Sequence, residues 1–332
     1  MIPHQVVFIH GIGNDPGRFS RYLEIKIRSE FHQTVKRLAP QQSPENGVRF
    51  SSAVWYEVTQ SDQDTLWNLI FNWMKPRGSF LEWNMIRKDP MNFIYRLMYW
   101  SWLRRLVVDY QGDLIAYIES PGANKYRLIH DKVYGAFETC TRVAMDSEAT
   151  WQNPSLVTVI GHSLGAVIAS DLLYDTLKNR GRWWPSQICL ANFFTLGSPQ
   201  AVYALRYGFG PTAFREALRM QDEKGVWINI YDRQDVIAYP LKRLNEAYED
   251  AVFFDKEINV GQWWNLWHLI RRYTPLNHDL YLEDNCVAAI VGRKASLDWL
   301  RSNRIVSEVT LREEYRTYAD WIQQEKWWKF WK

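Results

Sequence analysis

Val157-Thr158-Val159-Ile160-Gly161-His162-Ser163-Leu164-Gly165-Ala166 is the stretch that decides how the rest of the chain is read. Four β-formers in a row, opened by Pro154 and Ser155, predict a short buried strand. Beyond Gly165 the apolar residues Val167, Ile168, Leu172, Leu173 and Leu177 recur at three- and four-residue steps, the period of a helix. Between strand and helix stands the turn Gly161-His162-Ser163-Leu164-Gly165. A serine carried on so sharp a turn needs neighbours without side chains, and Gly161 and Gly165 meet that need. The hydroxyl of Ser163 then stands above the sheet edge. The N–H of Leu164, at the start of the helix, faces any negative charge that develops beside it.

Composition narrows the class. The 332 residues are 47% hydrophobic and 23% charged, values of a globular chain within reach of one large α/β domain over 1–332. A net charge of +3 gives no reason to expect nucleic acid as a partner. Cys140, Cys189 and Cys286 are odd in number and widely spaced, which fits neither a disulfide framework nor a zinc cluster. No metal or cofactor is therefore expected. With no basic leader and apolar run at the start, and no stretch of about twenty apolar residues, neither a signal peptide nor a spanning helix is expected. The cytoplasm is the expected compartment.

Val6-Val7-Phe8-Ile9 reads as a buried strand, followed by His10-Gly11-Ile12-Gly13. A dinucleotide-binding loop would want a third glycine at position 16, where Pro16 stands. An oxyanion loop fits better, with an ordinary glycine turn as the alternative: after Gly11 the backbone can approach a substrate carbonyl, with the N–H of Ile12 as donor. A helix is expected from near Pro16 with Leu23, Ile27, Phe31 and Val35 on one face, then a strand over Val48–Tyr56. A second amphipathic helix is expected over Asn124–Met145, and strands over Ala191–Leu196 and Trp227–Tyr231. Residues 251–260 read as a further strand or hairpin.

Tryptophan is the oddity, at 18 residues, clustered with lysine and arginine. Over 61–120 the chain carries Trp67, Trp73, Trp83, Trp100 and Trp102, while between Lys75 and Arg105 only Glu82 and Asp89 are acidic. This segment reads as a helical cap or lid inserted in the domain, with a second packed layer as the alternative. A segment around Phe93–Leu106, apolar nearly all round, suits burial on two sides or movement between protein and lipid.

A serine hydroxyl is a poor nucleophile until a base accepts its proton and a carboxylate orients that base. Of seven histidines, His278 lies in a polar loop after the last strand, and His268, in a Trp-rich run, is the alternative. Asp232 and Asp235 both follow the Trp227–Tyr231 strand, with Asp235 favoured as the acid and Asp232 as a brace for the turn. Ser198, in Gly197-Ser198-Pro199, lacks flanking elbow glycines and reads as part of a turn beside the site.

His10-Gly11, Gly161-His162-Ser163-Leu164-Gly165, Leu196-Gly197-Ser198-Pro199, Asp235-Val236 with Pro240, and His278 together resemble the α/β-hydrolase superfamily, and within it the lipase and esterase branches. The likeness covers roughly residues 5–56 and 124–282. It implies a mostly parallel sheet flanked by helices; this sequence departs from the pattern in that its oxyanion strand comes first, so a sheet trimmed by the two strands that usually precede it is expected. It implies Ser163 as nucleophile, His278 as base and Asp235 as acid, the last because lipases of this kind carry the acid in an Asp-Val-x-x-x-Pro context. It also implies an oxyanion hole at Ile12 and Leu164, framed by Gly11, Gly161 and Gly165.

The C-terminal segment 308–332 reads as an amphipathic helix. On a helical wheel Trp321, Trp327, Trp328, Phe330 and Trp331 fall on one half, opposite Lys326, Lys329 and Lys332 with Ile322 and Glu325. Aromatic rings against lysines suit a helix lying at a bilayer interface, and docking on the chain's own domain is the alternative. The expected function is ester hydrolysis on a lipid substrate at a peripheral membrane surface. A catalytically silent binding module and a soluble esterase or thioesterase for small substrates are the alternatives.

Overall fold

The computed structural model describes residues 1–11, 19–74, 113, 117, 124–177, 184–203, 220–260 and 275–324. In chain order they form β1 (His4–Ile9), α1 (Arg21–Leu38), β2 (Val48–Ala53), α2 (Glu57–Met74), α3 (Lys125–Asp146), β3 (Ser155–His162), α4 (Leu164–Leu177), β4 (Ile188–Leu196) and α5 (Gln200–Tyr203). β5 (Val226–Tyr231), α6 (Glu246–Ala251), β6 (Phe254–Glu257), a 3-10 turn (Pro275–Glu283), α7 (Asn285–Ser302) and α8 (Glu308–Gln323) follow.

The six strands make one sheet in the order β2-β1-β3-β4-β5-β6, with every neighbouring pair parallel. A parallel sheet needs a crossover between strands, so helices cover its faces and its strands are apolar on both sides. β1 and β3 are buried along their whole length. Val6, Phe8, Ile160, Phe194, Leu196, Ile228 and Ile230 meet α1, α7 and α8 in one core. The stripe Ile129, Val133, Phe137, Cys140 and Ala144 of α3 is buried, and Phe137 packs on Trp184 with ring centroids 5.3 Å apart. α7 carries a buried Lys294–Asp298 pair at 2.6 Å, whose carboxylate also accepts from Asn192 and Tyr315.

The chain passes from β1 outward to β2, then returns to β1's other side for β3. The strand order therefore reverses between β1 and β3. In open α/β sheets the carboxyl ends flanking such a reversal form a crevice that takes ligands. The loop His10-Gly11 and the turn at Ser163 both stand there.

The chain divides into two compact units, residues 1–54 with 130–332, and residues 55–129. Within the second, Gln63 Nε2 donates to Asp113 Oδ1 at 2.5 Å, Lys125 pairs with Asp62, and the rings of Tyr117 and Tyr126 lie 5.1 Å apart. The insert expected over 61–120 falls in this unit. Its expected short helices, including Phe93–Leu106, lie outside the described residues.

Several boundaries differ from expectation. α1 begins at Arg21, not near Pro16, because Phe19-Ser20 form a turn in which the Ser20 hydroxyl donates to Glu24. β2 stops at Ala53, because Tyr56 O already accepts the N–H groups of Thr59 and Gln60 as the chain turns into α2. The 251–260 region yields only the four-residue edge strand β6. Ala251 instead closes α6, which Asn245 starts by accepting the Tyr248 N–H.

The C-terminal helix also departs from the expected 308–332. α8 ends at Gln323 and Gln324 is extended, with φ −68° and ψ 129°. Lys256 Nζ donates to the carbonyls of Ile322 and Gln324 at 2.7 and 2.9 Å, holding the chain where the helix stops. Ile322 is fully buried, and the Arg293 guanidinium lies 4.3 Å from the Trp321 ring centre, so these two dock on the chain's own domain. Residues 325–332 lie outside the described residues. Among the described residues no helix is long and apolar enough to cross a membrane.

Candidate active site at the sheet's carboxyl edge

Ser163 sits between β3 and α4 with φ +55°, a left-handed conformation that costs an L-residue about 1–2 kcal/mol. Tertiary contacts hold it there. Its N–H donates to Leu196 O at the end of β4, at 2.9 Å, and its carbonyl accepts from Ala166 N–H at 3.0 Å. Neither flanking glycine has room for a side chain. A Cβ on Gly161 would lie 2.5 Å from Ala166 Cα, and one on Gly165 would collide with the carbonyls of Ile9 and His10. Leu164 is the first residue of α4, so its N–H lies outside the intrahelical ladder. A Cβ on Gly11 would come 2.6 Å from Ser163 Cβ, which sets the backbone after β1 against the serine. Ile12 lies outside the described residues.

Asp232 and Asp235 are both buried in the turn after β5, with different work. Asp232 accepts the N–H groups of Gln234 and Val260 at 2.8 and 2.9 Å, tying the ends of β5 and β6 together. Asp235 Oδ2 accepts from His278 Nδ1 at 2.7 Å and from the Tyr281 hydroxyl at 3.0 Å, while Oδ1 accepts from Ile237 N–H at 3.0 Å. Burial pushes the Asp235 carboxyl up, but the His278 bond and charge, with the Ile237 and Tyr281 bonds, outweigh it and hold the group below its usual value. Asp235 is therefore a carboxylate at neutral pH. His268, the other histidine considered as base, lies outside the described residues.

With Nδ1 donating to Asp235, Nε2 of His278 is the nitrogen free to accept a proton. It is buried and has no hydrogen-bond partner, so the Ser163 hydroxyl is not bonded to it in this structure. The two residues are nonetheless neighbours through His162, which precedes the serine. Its ring centre stands 5.0 Å from that of His278, and its Nε2 donates to His278 O at 3.0 Å. Burial, helped by the His278 charge, lowers the His162 pKa to about 4, so the ring is neutral and able to make this bond. His10 is also buried, with its pKa lowered to about 4 chiefly by burial, and its Nδ1 meets Gly11 O.

Gly197 has φ +57° and forms the floor of the pair: a Cβ there would lie 2.8 Å from Tyr281 Cε2, 3.1 Å from His278 Cε1 and 3.2 Å from Asp235 Oδ2. Ser198 is buried and accepts the Gln200 N–H at 3.2 Å, a turn role at the start of α5. Among the described residues, no group of three or more His, Cys, Asp or Glu is gathered as a metal ion would need. Sequence reasoning passed over Tyr281, the His162 bond and the packing role of Gly197. Only the three-residue spacing of His278 and Tyr281 hinted at the first, and it has meaning once the segment is known to be a 3-10 turn.

No family model and no curated protein matches the chain. A solved structure described as "Crystal structure of an uncharacterized protein from Pseudomonas aeruginosa" is similar at a TM-score of 0.32 and 10% identity, over 95% of this chain and 52% of that one. The chain spans about half the length of that protein.

Proposed function

We propose that the chain is a serine hydrolase of the α/β-hydrolase kind that cleaves carboxylic esters through an acyl-enzyme. The observation that carries this reading is the 2.7 Å bond from His278 Nδ1 to a buried, ionised Asp235, beside a serine at φ +55° in the switch-point crevice. Ser163 Oγ attacks the ester carbonyl as His278 Nε2 takes its proton. The Leu164 N–H, with Ile12 as the expected second donor, holds the oxyanion. His278 then protonates the leaving alcohol, and water attacks the acyl group with the same base. Asp235 stabilises the imidazolium and fixes its tautomer. The tryptophan- and lysine-rich segments of the sequence favour a lipid ester met at a peripheral membrane surface.

The unpartnered His278 Nε2 favours a second reading, a catalytically silent module of the same fold. A fluorophosphonate probe separates the two, since it reacts with serines activated by a base. Label is expected on Ser163 by peptide mass spectrometry, absent in Ser163→Ala and slowed about 10⁴-fold in His278→Ala, the scale at which such triads lose activity. No label on the wild-type protein, with detergent or liposomes present, would favour the silent module. Labelling with turnover of short-chain esters but no liposome binding would leave a soluble esterase or thioesterase.

A further inference from the structure

Tyr281 lies one turn beyond His278 on the 3-10 turn, where residues three apart eclipse one another. Both side chains therefore reach the same acceptor: His278 Nδ1 stands 2.7 Å and the Tyr281 hydroxyl 3.0 Å from Asp235 Oδ2. The hydroxyl is itself oriented, because it accepts the Asp232 N–H at 2.8 Å and so directs its proton at Asp235. Its ring is fully buried, 6.3 Å from His278 and 6.2 Å from His162 between ring centres, so the group has no other place to go. Burial and the Asp235 charge raise its pKa well above 10, which keeps it a donor over any working pH.

We propose that Tyr281 is a positioning residue for the Asp235–His278 pair: its hydroxyl fixes the Asp235 rotamer and shares the charge of the carboxylate oxygen that faces the imidazole. The inference rests on the serine-hydrolase reading. Two donors on one oxygen divide its charge between them. Without the hydroxyl, Oδ2 would hold a protonated imidazole more tightly and would be less firmly placed. Among the described residues, the other titratable groups around the pair are Asp232 from the turn after β5, His162 from the turn before α4, and Asp279 from the 3-10 turn.

The test is the rate of Ser163 labelling by the fluorophosphonate across pH, in wild-type protein, Tyr281→Phe, Asp235→Asn and the double variant. Tyr281→Phe is expected to lower the plateau rate about tenfold, the size of one hydrogen bond to a charged group, and to move the acid limb to higher pH. In the Asp235→Asn background the same substitution should change nothing, because Tyr281 would act through the carboxylate. An unmoved acid limb, or equal losses in both backgrounds, would reduce Tyr281 to a fold-supporting residue. A proton-exchange measurement on the wild-type protein needs no variant at 281: the Tyr281 hydroxyl proton should be visible by NMR as slowly exchanging, and rapid exchange would overturn the proposal. Unlabelled wild-type protein would instead fail the hydrolase reading itself, and the positioning role with it.

Discussion

Gly197 shows how little room the site leaves at a single residue. It holds a left-handed φ of +57°, and its missing side chain is the space used by Tyr281, His278 and Asp235. Gly197→Ala would add about 1–2 kcal/mol of backbone strain and push a methyl group against His278 Cε1. Labelling of Ser163 is expected to fall at least about tenfold, since misplacing a catalytic group by an ångström costs that much or more, while the circular dichroism spectrum stays native. An unchanged labelling rate would mean that the pair tolerates displacement. At the same scale the two aspartates differ only in what they touch. Asp232 accepts from the N–H groups of Gln234 and Val260, whereas Asp235 accepts from the imidazole.

Among the elements, α8 depends on a partner far from it in sequence. The last carbonyls of a helix have no intrahelical donor, and here a buried lysine from the edge strand β6 supplies one. The ammonium also lies at the negative end of the helix dipole. Lys256→Met keeps most of the apolar stem and removes the donor. It should cost about 1–3 kcal/mol, the range for leaving buried acceptors unpaired, seen as a lower urea midpoint with an unchanged slope. A shift below about 0.5 kcal/mol, the size expected of an ordinary surface change, would mean that water replaces the lysine. The wheel drawn from sequence placed Trp321 and Ile322 on an interfacial helix, but both sit against the domain. Periodicity says that a helix has an apolar face, not what covers it.

For the whole molecule, acid is the expected weakness. His4, His10 and His162 are buried, and burial above all lowers each to about 4. In the unfolded chain they would titrate near 6.5. Unfolding therefore takes up protons between about pH 6.5 and 4, so their contribution is full above 6.5 and is lost as pH falls toward 4. Burial raises Asp235 and Asp298, yet the bonds and charges of His278 and of Lys294 respectively hold both below the usual carboxylate value. Their stabilisation is present above about pH 4 and lost on further acidification, in the same direction. The unfolding free energy read from urea curves should fall as the pH goes from about 6.5 to 4, by up to ~1.4 kcal/mol per pH unit for each histidine. A flat midpoint from pH 7 to 5 would mean that these rings protonate without unfolding. The sequence by itself determined the pieces whose causes are local: the strand, glycine turn and helix from Ser155 to Leu177, and the buried stripe of α3. Those follow from backbone period and the space a glycine leaves, which a window of ten or so residues contains. Only the tertiary structure decided that Asp235 meets a histidine 43 residues away, that His162 reaches a carbonyl 116 residues away, and that the strands order as β2-β1-β3-β4-β5-β6. Such contacts depend on where crossovers return the chain, and no local preference of the joined residues encodes that.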